Sequence, residues 1–146
     1  MNKHEKLALK YFNEGYNCAQ SVFAAFHEEM GLDEKTAFKV SSAFGGGMGR
    51  LREVCGAVSG MFMVISYLYG YDDAKDAEAK KLLYSRVQAL AEEFKKDYGT
   101  IICRELLESP FAKEAVPVPG SGHAGACFAF VQSAAKILSE YIEKEQ

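Results

Sequence analysis

The chain has no tryptophan and only three prolines among its 146 residues, and it has no clustered basic stretch. Its 17 lysines and arginines are spread along the chain against 20 acidic residues, which gives a net charge of −3. A nucleic-acid surface needs a clustered basic face, so we expect no nucleic-acid partner. The period-two alternation of apolar and polar residues that is typical of strands is also missing. The absence of strand-type alternation favours an all-α fold.

Signals for export are missing as well. The first residues are polar, without the apolar core of a signal peptide. One uncharged run, residues 54–71, approaches the ~20 apolar residues that cross a bilayer. However, Gly56, Gly60 and Gly70 interrupt this run, which favours a buried helix instead. We therefore predict a cytoplasmic protein without a membrane span.

Helical periodicity runs through most of the chain. It predicts one all-α domain over residues 1–146, a compact bundle of about six or seven helices around a buried central helix at about 54–70. The predicted helices cover residues 3–14, 18–30, 34–44, 52–70, 74–97, 101–108 and 127–143. Asn17 and Thr100 are predicted to be N-caps, and Gly31 and Gly99 are predicted to end their helices. Residues 109–126, which hold all three prolines, are predicted to form the one extended loop.

Four cysteines are present, Cys18, Cys55, Cys103 and Cys127. No C-x-x-C occurs, so neither a zinc ribbon nor a thioredoxin-type site is indicated. Each cysteine falls in or near the first turn of a predicted helix, where the helix dipole and free N–H groups lower the pKa of a thiol. The four are either plain core residues or chemically active, as one redox or metal-binding site that assembles across the fold or as two thiol pairs.

Glycines accompany two of these cysteines. Gly46 and Gly47 belong to the glycine-rich turn before Cys55, and residues 120–125 form a similar turn before Cys127. Gly56 and Gly60 are one helical turn apart and let a second helix or a cofactor approach the backbone closely. We therefore predict that Gly46, Gly47, Gly56 and Gly60 contribute to a cofactor-binding surface.

Four segments together carry a family resemblance. They are Tyr16-Asn17-Cys18-Ala19-Gln20-Ser21-Val22, Cys55-Gly56-Ala57-x-x-Gly60, Cys103, and Cys127 with Phe130-Val131 after it. In this order they resemble the C_GCAxxG_C_C family of redox-active proteins, over roughly residues 11–135. The resemblance implies a redox role for Cys18, Cys55, Cys103 and Cys127.

The first hypothesis for that role is a metal or iron–sulfur centre. Four thiolates are the usual ligand count for an iron–sulfur cluster or a structural zinc. Cys18, Cys55, Cys103 and Cys127 would be both the ligands and the redox-active residues. His123 is a candidate substitute ligand, although we favour a solvent-exposed loop histidine, and we expect His4 and His27 to be surface residues.

Two alternatives stay open. In thiol–disulfide exchange, Cys55 would attack as a thiolate, helped by Arg50 or Arg52, and Cys18 or Cys127 would resolve the mixed disulfide. In a non-enzymatic binding module, the cysteines would be structural, and residues 45–50 could hold an anion through backbone N–H groups and an arginine. A redox partner is expected under the first two hypotheses, and the numerous apolar faces are compatible with a homodimer.

Overall fold

The computed structural model describes residues 1–146 and is helical without a strand, which confirms the all-α prediction. Its nine α-helices are Lys3–Asn13, Cys18–Ala24, His27–Met30, Glu34–Ser41, Gly56–Tyr69, Ala77–Tyr98, Cys103–Glu108, Pro110–Glu114 and Gly125–Glu145. A 3₁₀ turn, Ser42–Phe44, precedes the segment Gly45–Met48, which has helix-type hydrogen bonds but left-handed dihedral angles at its central glycines.

Two short helices raise the number from the predicted six or seven to nine. The segment predicted as one helix over 18–30 is divided at Ala25 and Phe26 into two helices. The predicted loop 109–126 contains the helix Pro110–Glu114, whose N-cap Ser109 accepts a hydrogen bond from the N–H of Ala112. Proline at the first helical position is favoured, since its missing N–H would have no partner there.

The helix Gly56–Tyr69, here called the central helix, lies in the middle of the fold as predicted. Its first six residues, Gly56 to Met61, are all buried, as are Val64 and Ile65, whereas Tyr67 is 54% exposed near the other end. It packs against Cys18–Ala24, Ala77–Tyr98 and Gly125–Glu145. These four helices supply most of one continuous hydrophobic cluster.

The amino end of the central helix is therefore the buried end, and it is the end that carries Cys55 as its N-cap. The uncharged run 54–71 forms a helix of 14 residues. No helix in the structure combines the length and the apolar character that crossing a membrane requires.

Candidate functional site: a cavity lined by four cysteines

Cys18 is the first residue of its helix, and a capping box fixes its position. The side chain of Asn17 accepts a hydrogen bond from the N–H of Gln20, and the side chain of Gln20 accepts one from the N–H of Asn17. The amide of Asn17 also donates to the carbonyl of Ser42, 3.0 Å away, which ties this helix start to the segment before the glycine-rich turn. The predicted N-cap is confirmed, and it holds Cys18 at the helix start.

Cys55 and Cys103 are placed together by backbone pairing. Val54 and Ile102 form an isolated antiparallel bridge. The N–H of Cys55 donates to the carbonyl of Ile101 at 2.8 Å, and the N–H of Cys103 donates to that of Glu53 at 2.6 Å. Each cysteine then begins its helix, Cys55 as N-cap and Cys103 as first residue.

This pairing was missed from the sequence. The prediction that Thr100 is the N-cap of the Cys103 helix was wrong. The N-cap is Ile102, and the hydroxyl of Thr100 accepts a hydrogen bond from the N–H of Ile102 at 3.1 Å. The available signal was that Cys55 and Cys103 each follow a β-branched residue, the type favoured in extended backbone.

The glycine-rich turn before Cys55 is left-handed. Every residue from 46 to 50 has a positive φ, between 59° and 70°, and Arg52 has a φ of 62°. Glycines can adopt this conformation without strain, but Met48, Arg50 and Arg52 carry side chains there, which is unusual for L residues. The turn ends with the N–H of Glu53 donating to the carbonyl of Gly47 at 2.9 Å, immediately before the bridge.

Cys127 is the third residue of the C-terminal helix, and its N–H donates to the carbonyl of Ala124 at 3.0 Å. The segment before it is held by His123. The ring of His123 stacks on Phe12 with centroids 3.7 Å apart, and its Nε2 lies 3.0 Å from the carbonyl oxygen of Phe12. The expectation of a solvent-exposed His123 was wrong, because this stacking half-buries the ring.

The other two histidines also differ from the expected surface residues. The ring of His4 stacks on Phe26 and contacts Ser139 and Glu29. Nδ1 of His27 lies 3.0 Å from the carbonyl oxygen of Leu32. Neither histidine lines the cavity described next.

All four cysteines line one cavity of about 850 Å³. Cys55 and Cys103 are buried, with exposed fractions of 5% and 8%, whereas Cys18 and Cys127 are half-buried. The four cysteines, each at the start of a different helix, therefore face the same cavity. All four thiols are free, and no three His, Cys, Asp or Glu side chains lie close enough together to hold one metal ion.

The four candidate glycines divide into two pairs. Gly46 and Gly56 line the cavity, and Gly47 and Gly60 do not. A Cβ on Gly56 would overlap the sulfur of Cys18. The absence of a side chain at Gly56 therefore allows the helix Cys18–Ala24 to place the thiol of Cys18 in the cavity. A Cβ on Gly60 would lie 2.8 Å from the carbonyl oxygen of Ala19, so Gly60 permits close helix packing.

Gly47 has a different role within the turn. A Cβ there would lie 2.6 Å from the Cβ of Cys103 and 2.7 Å from the Cα of Arg52. The left-handed turn therefore packs directly on the first residue of the Cys103 helix. The guanidinium of Arg52 donates from Nη1 to the sulfur of Cys103 at 3.7 Å.

Burial raises the pKa of the thiols of Cys18, Cys55 and Cys127, and it is the largest influence on each. Negative charge on Cys18 raises the pKa of Cys55 and Cys127 further, and the pKa of Cys127 reaches about 12. The helix-start argument had predicted a lowered pKa, and the direction is opposite because desolvation outweighs the helix N–H groups.

Backbone N–H groups nevertheless point at sulfur. Those of Gly46 and Ala19 lower the pKa of Cys18, and those of Ala57 and Val58 lower the pKa of Cys55, each by less than burial raises it. Arg52 similarly lowers the pKa of Cys127. The cavity thus provides hydrogen-bond donors and a positive charge that stabilise the thiolate form, whereas burial alone would destabilise it.

A family model described as "Putative redox-active protein (C_GCAxxG_C_C)" matches residues 16–141. The chain belongs to this family. The match includes all four cysteines of the cavity, both glycines of the central helix and the left-handed turn. No curated protein and no solved structure matches the chain significantly. The C_GCAxxG_C_C family description makes redox activity the expected general function.

Proposed function

We propose that this C_GCAxxG_C_C protein is an electron-transfer protein whose four cysteines hold a polynuclear iron–sulfur centre. The observation that carries the proposal is that all four thiols line a single cavity of about 850 Å³. Scattered core cysteines would have no reason to share one space. Four cysteine ligands are the usual set for such clusters, which supply one-electron transfer when bound.

The donor set also suits this class of centre. No aspartate or glutamate lines the cavity, and sulfur ligands select iron–sulfur clusters, zinc or copper(I) over magnesium or calcium. A single zinc ion needs four ligand atoms at about 2.0–2.3 Å from one point. The cysteines are not gathered that closely. A polynuclear cluster binds its cysteines through different metal atoms, so it does not require four sulfur atoms around one point.

The raised thiol pKa values support a cation as the natural occupant. Several thiolates in one cavity repel each other, and a metal centre removes that repulsion while it displaces protons. Cys18, Cys55 and Cys127 would each release a proton on binding. The N–H groups of Gly46 and Ala57 would then donate to sulfur, a contact that tunes the reduction potential of such centres.

The second candidate is thiol–disulfide exchange, which the four free thiols in one cavity also support. The raised pKa of the buried Cys55 disfavours it as the attacking thiolate. Under this alternative, attack would fall to Cys18 or Cys127, whose pKa values are also raised but which are more exposed than Cys55, and Cys55 would be the resolving residue. This order reverses the one expected from the sequence.

Anaerobic purification tests the two candidates. The protein is isolated without oxygen, or reconstituted with ferrous iron and sulfide, and then analysed for absorption, iron, zinc and acid-labile sulfide. A visible charge-transfer band with bound iron and sulfide is expected. The band is expected to be weaker in each of the four single Cys→Ser variants. Colourless protein that forms one reducible disulfide would favour exchange, and four unreactive thiols without metal would reject both.

A further inference from the structure

The cavity carries positive charge that no carboxylate neutralises. Arg50 and Arg52 both line it, and neither forms an ion pair. The other two arginines are both paired, Arg86 with Glu145 and Arg104 with Glu53. None of the 20 acidic residues of the chain is part of the cavity lining.

The side chains of the two unpaired arginines both lie next to Gly46, which also lines the cavity. A Cβ placed on Gly46 would lie 3.0 Å from Cγ of Arg50 and 3.7 Å from Nη1 of Arg52. The same Nη1 atom lies 3.7 Å from the sulfur of Cys103. Two exposed arginine side chains and one thiol therefore border the same space.

The backbone at these two positions favours glycine. The φ angles of Arg50 and Arg52 are 65° and 62°, where a side chain costs conformational energy. The turn contains glycine at neighbouring positions with the same conformation, so nothing in the backbone requires arginine at 50 and 52. We infer that arginine occurs at these two positions because its charged group has a function.

The backbone N–H groups of this turn are largely used inside it. Those of Arg50, Arg52 and Glu53 donate to the carbonyls of Gly45, Gly46 and Gly47. An anion at this place would thus be held by the guanidinium groups, and not by the backbone cradle considered from the sequence. The planar guanidinium suits this task because its N–H groups can bind two oxygen atoms side by side.

We propose that Arg50 and Arg52 form an anion subsite at the mouth of the cysteine cavity. It takes the oxyanion group of a small ligand, either a free inorganic oxyanion or a carboxylate carried by an organic molecule. The sulfur of Cys103 borders this subsite. The binding of the anion does not depend on the function proposed above.

Alkylation with two reagents of similar size and different charge tests the subsite in the reduced, metal-free protein. Iodoacetate and iodoacetamide have similar size but differ in charge, and peptide mass spectrometry gives the rate of each at every cysteine. Their ratio cancels the thiolate fraction. Because fixed charge raises the local concentration of an anion, we expect the ratio at Cys103 or Cys127 to be about tenfold higher than in the Arg50→Gly/Arg52→Gly variant.

Glycine is the chosen replacement because it fits both φ angles, so the double variant should fold. Lys136→Ala/Lys144→Ala is the matched control: it removes two exposed positive charges from the C-terminal helix, outside the cavity lining. An unchanged ratio in the double variant, or an equal decrease in the control, would overturn the proposal.

Direct binding gives a readout that does not depend on thiol access. Calorimetric titrations use inorganic phosphate, inorganic sulfate and succinate as probes. Binding is expected in wild type and is expected to be lost in the double variant. Tighter phosphate or sulfate binding would assign an inorganic oxyanion, tighter succinate binding would assign an organic carboxylate, and no binding of any probe would contradict the subsite.

Metal analysis distinguishes a failure of the subsite proposal from a failure of the proposed iron–sulfur centre. Iron and sulfide content is measured on the same variants. A double variant that loads the cluster normally and keeps the wild-type alkylation ratio would reject the subsite alone. A wild-type protein that binds phosphate but never holds iron or zinc would reject the proposed centre alone.

Discussion

Val54 and Ile102 pair across an antiparallel bridge, and each is followed directly by a cysteine of the cavity. Backbone hydrogen bonds on either side of the bridge then fix Cys55 opposite Ile101 and Cys103 opposite Glu53. Two thiols that are remote in sequence are therefore located by main-chain geometry, which is stiffer than side-chain packing alone. The remaining two thiols depend on how closely helices approach this pair.

Gly56→Ala should displace Cys18 from the cavity. The added methyl group would overlap the sulfur of Cys18 and lie 2.9 Å from the carbonyl oxygen of Phe44. We expect a loss of about 1–3 kcal/mol in the free energy of unfolding, which is typical of overpacking. We also expect faster alkylation of Cys18 and reduced iron loading, measured by denaturant unfolding, mass spectrometry and metal analysis.

Gly60→Ala is the matched control for that substitution. It adds the same methyl group one turn later, against Ala19 and Val22 of the same helix but away from any sulfur. It should cost a similar free energy and leave the reactivity of Cys18 nearly unchanged. Equal effects of the two substitutions on Cys18 would show that Gly56 has no specific role at the thiol.

Gly47→Ala should be more damaging than Gly49→Ala. Both glycines have left-handed φ angles, 70° and 59°, so both substitutions introduce backbone strain. A Cβ at Gly49 would meet only the carbonyl oxygen of Ala43 at 3.7 Å, whereas one at Gly47 would lie 2.6 Å from the Cβ of Cys103. We expect an additional loss of about 1–3 kcal/mol for Gly47→Ala in denaturant unfolding. Equal stability of the two variants would contradict the packing of the turn on Cys103.

The alkylation rate of Cys127 should rise steadily with pH. Burial raises the pKa of this thiol to about 12, and only the thiolate reacts. Iodoacetamide kinetics on metal-free protein, followed by peptide mass spectrometry, should therefore show close to a tenfold increase per pH unit between about pH 7 and 10. A plateau near neutral pH would reveal an activated thiolate instead, which would favour the exchange mechanism.

The metal-free protein should lose stability as the pH rises above about 8.5, the pKa of an unfolded cysteine. Cys127 keeps its proton in the folded state up to about pH 12, so the unfolded state binds fewer protons in this window. Each such thiol contributes a slope of at most about 1.4 kcal/mol per pH unit. Urea unfolding at a series of pH values measures the slope, and Cys127→Ser should make it shallower. A slope that this variant leaves unchanged would contradict the raised pKa of Cys127.

His123→Ala should release the segment that precedes Cys127. It removes a ring stacked on Phe12 and a hydrogen bond to the carbonyl of the same residue. The combined loss should be about 1–2 kcal/mol. Faster proteolysis between residues 115 and 124 and faster alkylation of Cys127 are the expected results.

His27→Ala serves for comparison, since it removes a histidine contact with the carbonyl of Leu32 outside the cavity. This variant should lower stability without changing the reactivity of Cys127. If the two histidine variants affected Cys127 alike, the anchoring role of His123 would be wrong.

Local sequence signals determined much of the fold and of the candidate site. Helical periodicity, the N-cap Asn17 and the terminating Gly31 and Gly99 located helix boundaries, because capping depends on residues close in sequence. The absence of charge from residues 54–71 identified the central helix, and the placement of all four cysteines at helix starts followed from the same boundaries.

Only the tertiary structure decided how these pieces act together. The bridge between Val54 and Ile102, the overlap that Gly56 avoids with Cys18, and the stacking of His123 on Phe12 all join residues that are distant in sequence. The direction of the thiol pKa shifts was decided there too. A helix start lowers the pKa of a thiol by local hydrogen bonding and the helix dipole, but burial is a property of the whole fold, and here desolvation is the larger effect.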